Sequence, residues 1–379
     1  MTLEIFFVPY KEINKIINLK INDFVKAELL ALVNRLNTVA IIKKAGSGHI
    51  GTSLSAIDIF IWVKFFQFKT YNKDIKKKFR NIFFSSKGHD VPALYSVLYA
   101  LGIISFNKIL KLRKIGGLDG HPDVSVPGID ANTGSLGMGL SKAKGILWAK
   151  KYLGKKGKVV VVTGDGEFQE GQIFEALQTI SHQRLNDIIV IIDHNKIQSS
   201  QFVKKIIDLK NLKKKIETFG WYVRRCDGHN FKKLNKVFNK FSKIKNKPKL
   251  LIADTIKGKG ISFMEHTKIM RKQKNYTWHA GAPNDKDFGL AQEELIKKIK
   301  LKFNEKLLPF PKFININKKK ENAILNQTFE YAAKLRDKGK VLISELEKEQ
   351  LKFSSENEDY LTITEKDVAD TLAVITGVP

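Results

Sequence analysis

The sequence has little cysteine and no long uninterrupted apolar run. Its one cysteine, Cys226, has no second thiol with which to form an intrachain disulfide, so we expect a reducing compartment, the cytoplasm. No apolar run reaches the roughly 18 residues needed to cross a bilayer. The first residues have no basic segment ahead of an apolar run and no small-residue cleavage site, so we expect no signal peptide. We therefore expect a soluble protein that does not act at a membrane.

Arginine is scarce although positive charge is abundant. The 379 residues include 67 Lys and Arg against 38 Asp and Glu, a formal net charge of +29. Only eight of the basic residues are arginine, the side chain that reads phosphate and guanine in a bidentate manner. The lysines occur in short dispersed runs. We therefore expect a solvated lysine-rich surface that attracts anionic sugar phosphates, and we expect no nucleic-acid partner.

Three continuous apolar runs, the first two of them rich in β-branched residues, indicate strands that are buried on both faces of a parallel sheet. They span residues 158–163, 187–193 and 249–254. Residues 171–183, between the first two runs, have the pattern of a crossover helix. This alternation predicts the α/β class, with a doubly wound parallel sheet and helices on both faces.

The α/β pattern predicts a first domain over residues 1–285. Two prolines and a run of lysines then predict a linker over residues 286–320. Residues 321–379 have apolar residues at helical spacing with a glycine break, which predicts a C-terminal helical hairpin appended to the α/β domain.

Two of the predicted strands end in side chains suited to a metal ion. Asp165 lies in a Gly-Asp-Gly turn directly after the first strand, and Asn195 follows the second. Ligands bind at the carboxyl ends of strands in open α/β sheets, and glycines let the backbone approach an anion closely. Mg²⁺ prefers oxygen ligands. These side chains and one backbone carbonyl therefore predict a magnesium site that also receives phosphate.

Four of the eight histidines lie in glycine-flanked turns, namely His49, His89, His121 and His279. Imidazole titrates near neutral pH, so histidines in such turns suit proton transfer and hydroxyl binding. Zinc binding is the competing hypothesis. No pair of these histidines has a ligand-like spacing and Cys226 is remote from all four, which disfavours zinc.

Taken together, the motifs resemble the N-terminal, thiamine diphosphate-binding half of the transketolase family. The resemblance covers about residues 25–285, in the family's order. It rests on these segments: Ser47–Asp58, Ser86–His89, Gly120–Pro122, Thr133–Gly139, Gly164–Gly171, Asp193–Asn195, Phe219–Trp221, Asp227–His229, Thr255–Gly260 and Trp278–Pro283. The resemblance therefore implies the thiamine diphosphate-binding fold, with thiamine diphosphate and Mg²⁺ as cofactors.

The resemblance also implies roles for individual residues. The Mg²⁺ ligands would be Asp165, Asn195 and the carbonyl of Ile197. The residues around the diphosphate and thiazolium would be Gly134, Leu136, Gly166 and His89. The histidines that contact sugar hydroxyls and move protons would be His49, His89, His121 and His279. Glu170 would lie at a subunit contact and couple paired active sites.

Three positions depart from the family pattern. Ile50 and Ser135 replace common prolines, and His194 occupies a place often held by Asp or Asn. None of these departures removes an implied ligand.

The family's chemistry needs a second domain. A thiazolium-based cofactor carries a two-carbon fragment from a ketose to an aldose. Its activation needs a carboxylate that another α/β domain supplies in this family. Too few residues follow Pro283 to form that domain. The resemblance thus implies one subunit of a split transketolase-like transferase in carbohydrate metabolism, such as the pentose phosphate pathway. A pyrimidine-binding C-terminal subunit would be its partner, in a dimer or heterotetramer. We expect Ile173, Phe174 and Leu177 to form an exposed apolar surface for that partner.

The C-terminal segment resembles other proteins. Asn326–Asp337 is similar to the helical hairpin of UvrB-type repair proteins and of the middle region of Clp unfoldases, and Leu361–Pro379 is similar to the same unfoldase region. The chain has no Gly-x₄-Gly-Lys-Ser/Thr loop, so ATP hydrolysis is not expected. Two alternatives remain open: another thiamine diphosphate enzyme similar to deoxyxylulose-phosphate synthase, and a non-catalytic protein that interacts through this tail.

Overall fold

The computed structural model describes residues 3–70 and 81–317. Its strands are β1 Phe6–Phe7, β2 Ile82–Ser85, β3 Val159–Gly164, β4 Ile188–His194, β5 Ile197–Gln198, β6 Gln201–Phe202, β7 Tyr222–Asp227, β8 Lys249–Asp254 and β9 Ile314–Asn315. Its α-helices are α1 Tyr10–Asn18, α2 Asp23–Ala45, α3 Ile50–Ile61, α4 Val91–Ala100, α5 Phe106–Ile109, α6 Met138–Tyr152, α7 Gly171–His182, α8 Val203–Ile206, α9 Leu212–Thr218, α10 Phe231–Lys243, α11 His266–Ile269 and α12 Asp285–Asn304. The predicted hairpin over 321–379 lies outside the described residues.

A five-stranded parallel sheet with the order β2-β3-β4-β8-β7 organises the fold. The three strands predicted from continuous apolar runs are its inner strands β3, β4 and β8. Both edge strands escaped the sequence analysis. β2 has only four residues and β7 carries two arginines, so neither has the continuous apolar run of a fully buried strand.

The inner strands are buried because their side chains alternate between two apolar cores. In β3, Val160 and Val162 pack into the core that also receives residues of α2, α3, α4, α10 and α12. Val159 and Val161 point to the opposite face, where residues of α6, α7 and α9 form the second core. This arrangement confirms the predicted α/β fold with helices on both faces of a parallel sheet.

The surface predicted on α7 for a partner subunit is wrong. Ile173 and Leu177 have no solvent exposure, and Phe174 is half-buried. Ile173 and Leu177 are four residues apart, so they lie on the same face of the helix, and they pack in the core against the sheet.

The range 286–320 differs from the predicted linker because most of it is structured. Residues up to 304 belong to α12, whose N-cap Asn284 accepts a hydrogen bond from the backbone N–H of Asp287. The side chains that α12 buries recur every three or four residues: Phe288, Ala291, Leu295, Ile299 and Phe303. Further on, β9 pairs with β1. The cap and the apolar period are helix signals that the sequence analysis missed.

Within the described residues, one helical stretch is long and apolar enough, by length and composition, to cross a membrane. It spans Ile50–Gln67 and comprises α3 and a π-helical segment. The fold buries 89% of it, and its Asp58 forms an ion pair with Arg35. The stretch is therefore a core helix of this domain.

We expect Leu295→Ala to lower the free energy of unfolding by about 2–5 kcal/mol, the usual cost of truncating a buried leucine. Leu295 has no solvent exposure, whereas Leu301 on the same helix is 58% exposed. Leu301→Ala is therefore the matched control and should change stability by less than about 0.5 kcal/mol. Urea denaturation of both variants measures the difference. Equal small effects would mean that α12 does not pack on the domain.

Candidate cofactor and active site

One cavity of about 380 Å³ brings together nearly all of the predicted site residues. It lies beside the carboxyl ends of β3 and β4, where Asp165 and Asn195 follow their strands. Ten of the eleven predicted residues line it: His49, His89, His121, Gly134, Leu136, Asp165, Gly166, Asn195, Ile197 and His279. Residues distant in sequence therefore converge on one site.

The predicted metal ligands are buried and lie on adjacent loops. Asp165 and Asn195 are 2% and 4% exposed. Asp165 accepts hydrogen bonds from the backbone N–H groups of Gly166 at 2.9 Å and Lys196 at 2.5 Å, so the first loop is attached to the second. Burial raises the pKa of Asp165, and the neighbouring carboxylate of Asp193 adds to that effect. A bound cation would offset this penalty.

The chemistry of the donors fits Mg²⁺. In residues 3–70 and 81–317, no three His, Cys, Asp or Glu side chains are placed to hold a metal ion. The predicted set instead combines a carboxylate, an amide and the main-chain carbonyl of Ile197. All three supply oxygen, which is the ligand atom that Mg²⁺ prefers while it keeps positions for phosphate and water.

Glycines make room for a bound group at this cavity. A Cβ at Gly134 would lie 2.9 Å from the ring of His121, and Gly134 has a φ of +145°. A Cβ at Gly166 would lie 3.1 Å from the side chain of Gln198. These positions therefore tolerate no larger residue without displacing the cavity wall, as expected where a ligand approaches the backbone closely.

Two polar atoms on the cavity wall are buried without a hydrogen-bond partner. Among the described residues that line the cavity, these atoms are His49 Nδ1 and Gln198 Oε1. Buried polar atoms are almost always paired, so these two atoms are suited to contact a bound ligand. Together with the oxygen donors and the glycines, they show that the cavity fits a diphosphate cofactor and its metal ion.

Three of the predicted histidines form a cluster. The ring centroids of His49 and His89 are 5.0 Å apart, and those of His49 and His279 are 5.2 Å apart. His121 lines the same cavity but is exposed. The four imidazoles thus line a single cavity, three within it and one at an exposed position.

The surroundings keep these histidines neutral. Burial lowers the pKa of His49 to about 4, and the charge of Arg113 adds to this effect. Burial and the nearby Lys257 lower the pKa of His279 to about 4. The pKa values of His89 and His121 are also lowered, chiefly by burial. Near neutral pH each ring therefore has one donor and one acceptor nitrogen, which suits contacts with sugar hydroxyls and acceptance of protons.

Two lysines of the cavity were not selected from the sequence. Lys257 is almost fully buried, and its ammonium donates to the carbonyls of Ile197 at 3.2 Å and Ser199 at 3.3 Å and lies 3.1 Å from His279 Nδ1. Burial lowers the pKa of Lys257 to about 7. Lys87 also lines the cavity. Both lie in glycine-containing motifs quoted for the family resemblance, and a cation beside such glycines was a signal for an anion site.

A short polar network anchors the segment that carries Lys257. His229 Nε2 accepts the backbone N–H of Ile256 at 2.8 Å, so its proton resides on Nδ1, which donates to Asp58 at 2.5 Å. Arg35 donates to Asp58 and to the carbonyl of Lys259. Burial opposes a charged Asp58, but Arg35 and His229 hold its pKa well below the ordinary value. The network therefore attaches the Lys257 segment to α2 and α3.

Glu170 does not belong to the cavity. It is exposed at the N-cap of α7, and a Cβ on Gly137 would lie 2.8 Å from its Cβ. Glu167, three residues earlier, lines the cavity and accepts the backbone N–H groups of Gly137 at 2.8 Å and Gly164 at 3.1 Å. The subunit-contact role implied for Glu170 stays a prediction.

Most of the described chain matches a known protein family. Residues 26–284 match the family model described as "Transketolase, thiamine diphosphate binding domain". The chain is 36% identical over 273 residues to an apulose-4-phosphate transketolase subunit of Phocaeicola vulgatus, covering 72% of this chain and 94% of that protein. It is 35% identical over 239 residues to a 6-deoxy-6-sulfo-D-fructose transketolase subunit of a Clostridium species, covering 62% of this chain and 86% of that protein.

Longer relatives match only in part. The human transketolase is 32% identical over 281 residues, which cover 73% of this chain and 43% of the human protein. The solved structure of the transketolase of Leishmania mexicana matches with a TM-score of 0.62 and 23% identity, covering 74% of this chain and 45% of that chain. The chain thus spans about half the length of these relatives, and the structural match supports the fold.

We expect His49 and His279 to titrate near pH 4 in the folded chain, which NMR of the imidazole protons can measure. Spectra of His49→Gln and His279→Gln assign the two signals. Both pKa values lie below the ordinary value of about 6.5. Between about pH 4 and pH 6.5 the unfolded chain therefore binds more protons than the folded chain does. The free energy of unfolding should therefore fall as pH is lowered through that window.

The same titration in denaturing urea is the control, since ordinary pKa values should return there. Titration of either ring near its ordinary value in the folded chain would contradict the expected burial.

Proposed function

The chain belongs to the transketolase family, and on that premise we propose that it is the diphosphate-binding subunit of a split transketolase that uses thiamine diphosphate and Mg²⁺. It would transfer a two-carbon ketol unit between sugar phosphates together with a pyrimidine-binding partner subunit. The observation that carries this proposal is the single cavity in which metal donors, close-approach glycines and neutral histidines meet.

Each group of residues has a task in this proposal. When bound, thiamine diphosphate supplies the thiazolium that stabilises the transferred two-carbon unit. Asp165, Asn195 and the carbonyl of Ile197 would hold Mg²⁺. His49 and His279, kept neutral by burial, would donate to and accept from the sugar hydroxyls and move protons between them.

The need for a partner is supported by coverage and by exposed apolar groups. The chain covers 94% of one relative named as a transketolase subunit, but only 43% of the human transketolase. Leu136, on the cavity, and Met138 nearby are 40% and 39% exposed. Sites between subunits bury apolar surface that each subunit exposes alone, so the partner would cover these side chains, in a dimer or a heterotetramer.

The names of the relatives narrow the substrate class. They name apulose 4-phosphate and 6-deoxy-6-sulfo-D-fructose, both sugars with an anionic group. We propose phosphorylated sugars for this chain, in cytoplasmic carbohydrate metabolism such as the pentose phosphate pathway. No observation on the site favours a deoxyxylulose-phosphate synthase-like activity. The resemblance of residues 321–379 to an unfoldase region stays a prediction.

We expect Asp165→Ala to weaken Mg²⁺-dependent binding of thiamine diphosphate by about 100-fold, because a metal-binding carboxylate is lost. Isothermal calorimetry of the purified chain with and without Mg²⁺ measures the effect. Asp187→Asn, at an exposed carboxylate before β4, is the control and should bind as the unaltered chain does. Unchanged affinity in Asp165→Ala would remove this residue from the metal site.

We also expect the purified chain to bind the cofactor but to lack transferase activity until a pyrimidine-binding subunit is added. The reason is that its cavity contains donors for the metal and histidines for the sugar, whereas the aminopyrimidine side is assigned to the partner. The assay follows two-carbon transfer from a phosphorylated ketose to a phosphorylated aldose, with and without the candidate partner chain. Full activity of the chain alone would disprove the split-enzyme proposal.

A further inference from the structure

A second cavity, larger than the cofactor cavity, lies near the same edge of the sheet. Its volume is about 700 Å³, against about 380 Å³ for the cofactor cavity. Its walls come from the end of β4, from β7 and β8, and from the segment that contains α8 and the start of α9. The volume lies in the range of small-molecule sites, roughly 300–1,000 Å³, and no role proposed above uses it.

Apolar side chains form part of the wall of this second cavity. They are Phe202, Val203, Leu209, Leu212 and Ile252. Three of them are anchored in the fold, since Val203 and Leu212 are each 6% exposed and Ile252 is 1% exposed. An inorganic ion would make no favourable contact with these apolar side chains. The cavity therefore suits a ligand with an apolar or aromatic body.

The rest of the wall is positively charged. Six cationic side chains line it, namely Lys196, Lys204, Lys205, Lys210, Lys213 and Arg225. Three carboxylates compensate part of this charge, through the pairs Lys210–Asp208 at 3.2 Å, Lys213–Glu217 at 3.7 Å and Arg225–Asp254 at 2.8 Å. Three positive charges therefore remain in excess, a number that matches a di- or triphosphate group.

Lys204 and Lys205 contribute most to this excess. Both are exposed, and no ion pair joins either one to a carboxylate in residues 3–70 and 81–317. Lys196 lies 3.8 Å from Asp254, whose carboxylate also binds Arg225 and His194. Lys204 lies close enough to Asp208 to interact with its charge, but neither lysine is held in an ion pair in the described residues, so both ammonium groups are placed to bind phosphate oxygens.

Lysine richness alone does not produce such a cavity in this chain. On α10, the lysines at 232, 236, 240 and 243 border a depression that is lined by lysine and asparagine alone. That depression has no apolar wall, and it is the solvated lysine surface expected from the composition. The second cavity differs from it by combining charge with buried apolar side chains.

The segment after β4 separates the second cavity from the cofactor cavity. His194 and Lys196 line the second cavity, whereas Asn195 and Ile197 line the cofactor cavity. Lys196 has a left-handed backbone with a φ of +69°, and its N–H donates to Asp165 at 2.5 Å. A ligand that binds the Lys196 ammonium would therefore stabilise the backbone conformation on which the contact to Asp165 depends.

We propose that the second cavity binds a nucleoside polyphosphate-like molecule, with its base on the apolar wall and its phosphates on Lys196, Lys204 and Lys205, and that this binding tightens the cofactor site through segment 194–197. The first part stands independently of the proposed function. The second part rests on it, because it requires thiamine diphosphate and Mg²⁺ to bind at Asp165 and Asn195.

Calorimetry of the full chain with ATP, inorganic pyrophosphate and adenosine tests the first part. We expect ATP to bind more tightly than either of its fragments, because it alone uses both walls. Lys204→Gln/Lys205→Gln should bind ATP at least about tenfold more weakly, since charge-assisted contacts to phosphate are lost. The matched control Lys240→Gln/Lys243→Gln on α10 should bind ATP as the unaltered chain does.

Three results would overturn the site. They are no measurable ATP binding, equal weakening by the two double variants, and displacement of ATP by thiamine diphosphate, which would place ATP in the cofactor cavity. Titration of ATP into the unaltered chain in the absence of thiamine diphosphate separates this proposal from the proposed function, because binding at the second cavity requires neither the cofactor nor its metal site.

The coupling is measured as the affinity for thiamine diphosphate with and without saturating ATP, at a constant concentration of free Mg²⁺. We expect ATP to increase that affinity by about 5-fold or more, and thiamine diphosphate to increase the ATP affinity by the same factor, because coupling is reciprocal. The increase should be lost in Lys204→Gln/Lys205→Gln at the same ATP concentration. An unchanged cofactor affinity in the unaltered chain would disprove the coupling.

Discussion

The buried contact between the Lys87 ammonium and the Asp193 carboxylate holds the loops of the cofactor cavity in place. Lys87 follows β2 and Asp193 lies near the end of β4, and both are almost inaccessible to solvent. Asp193 also accepts hydrogen bonds from Ser55 on α3 and Thr255 after β8. Four separate segments therefore meet at one ion pair. Buried charges are costly unless they are paired and hydrogen-bonded, so each segment depends on the others to keep this contact satisfied.

The same burial determines the electrostatics of the site. Burial opposes the charge of Lys87, but Asp193 and Asp90 raise its pKa above the ordinary value. Lys257 lacks comparable pairing and its pKa falls to about 7, while the histidines beside these lysines are kept neutral. The cavity thus combines a permanent cation, a titratable lysine and neutral imidazoles, which suits an anionic cofactor and a polyhydroxylated substrate.

The loops after the strands serve more than one surface. Segment 194–197 places His194 and Lys196 in the second cavity and Asn195 and Ile197 in the cofactor cavity. Leu136 and Met138, which follow Gly134 in the same motif, remain exposed. Cofactor binding, the proposed partner contact and the proposed anion site are therefore all attached to one edge of the sheet.

The sequence by itself determined the inner strands, the ligand loops and the four histidines, because β-branched runs and glycine-flanked motifs are local signals. Only the tertiary structure decided that α7 turns Ile173 and Leu177 into the core and that Glu170 remains outside the cavity. The roles of Lys87 and Lys257 also emerged only there, because a lysine beside a glycine turn indicates an anion site but does not show which groups pair with it. Its role depends on which carboxylates and carbonyls the folded sheet brings within hydrogen-bond distance, and that pairing joins residues far apart in sequence.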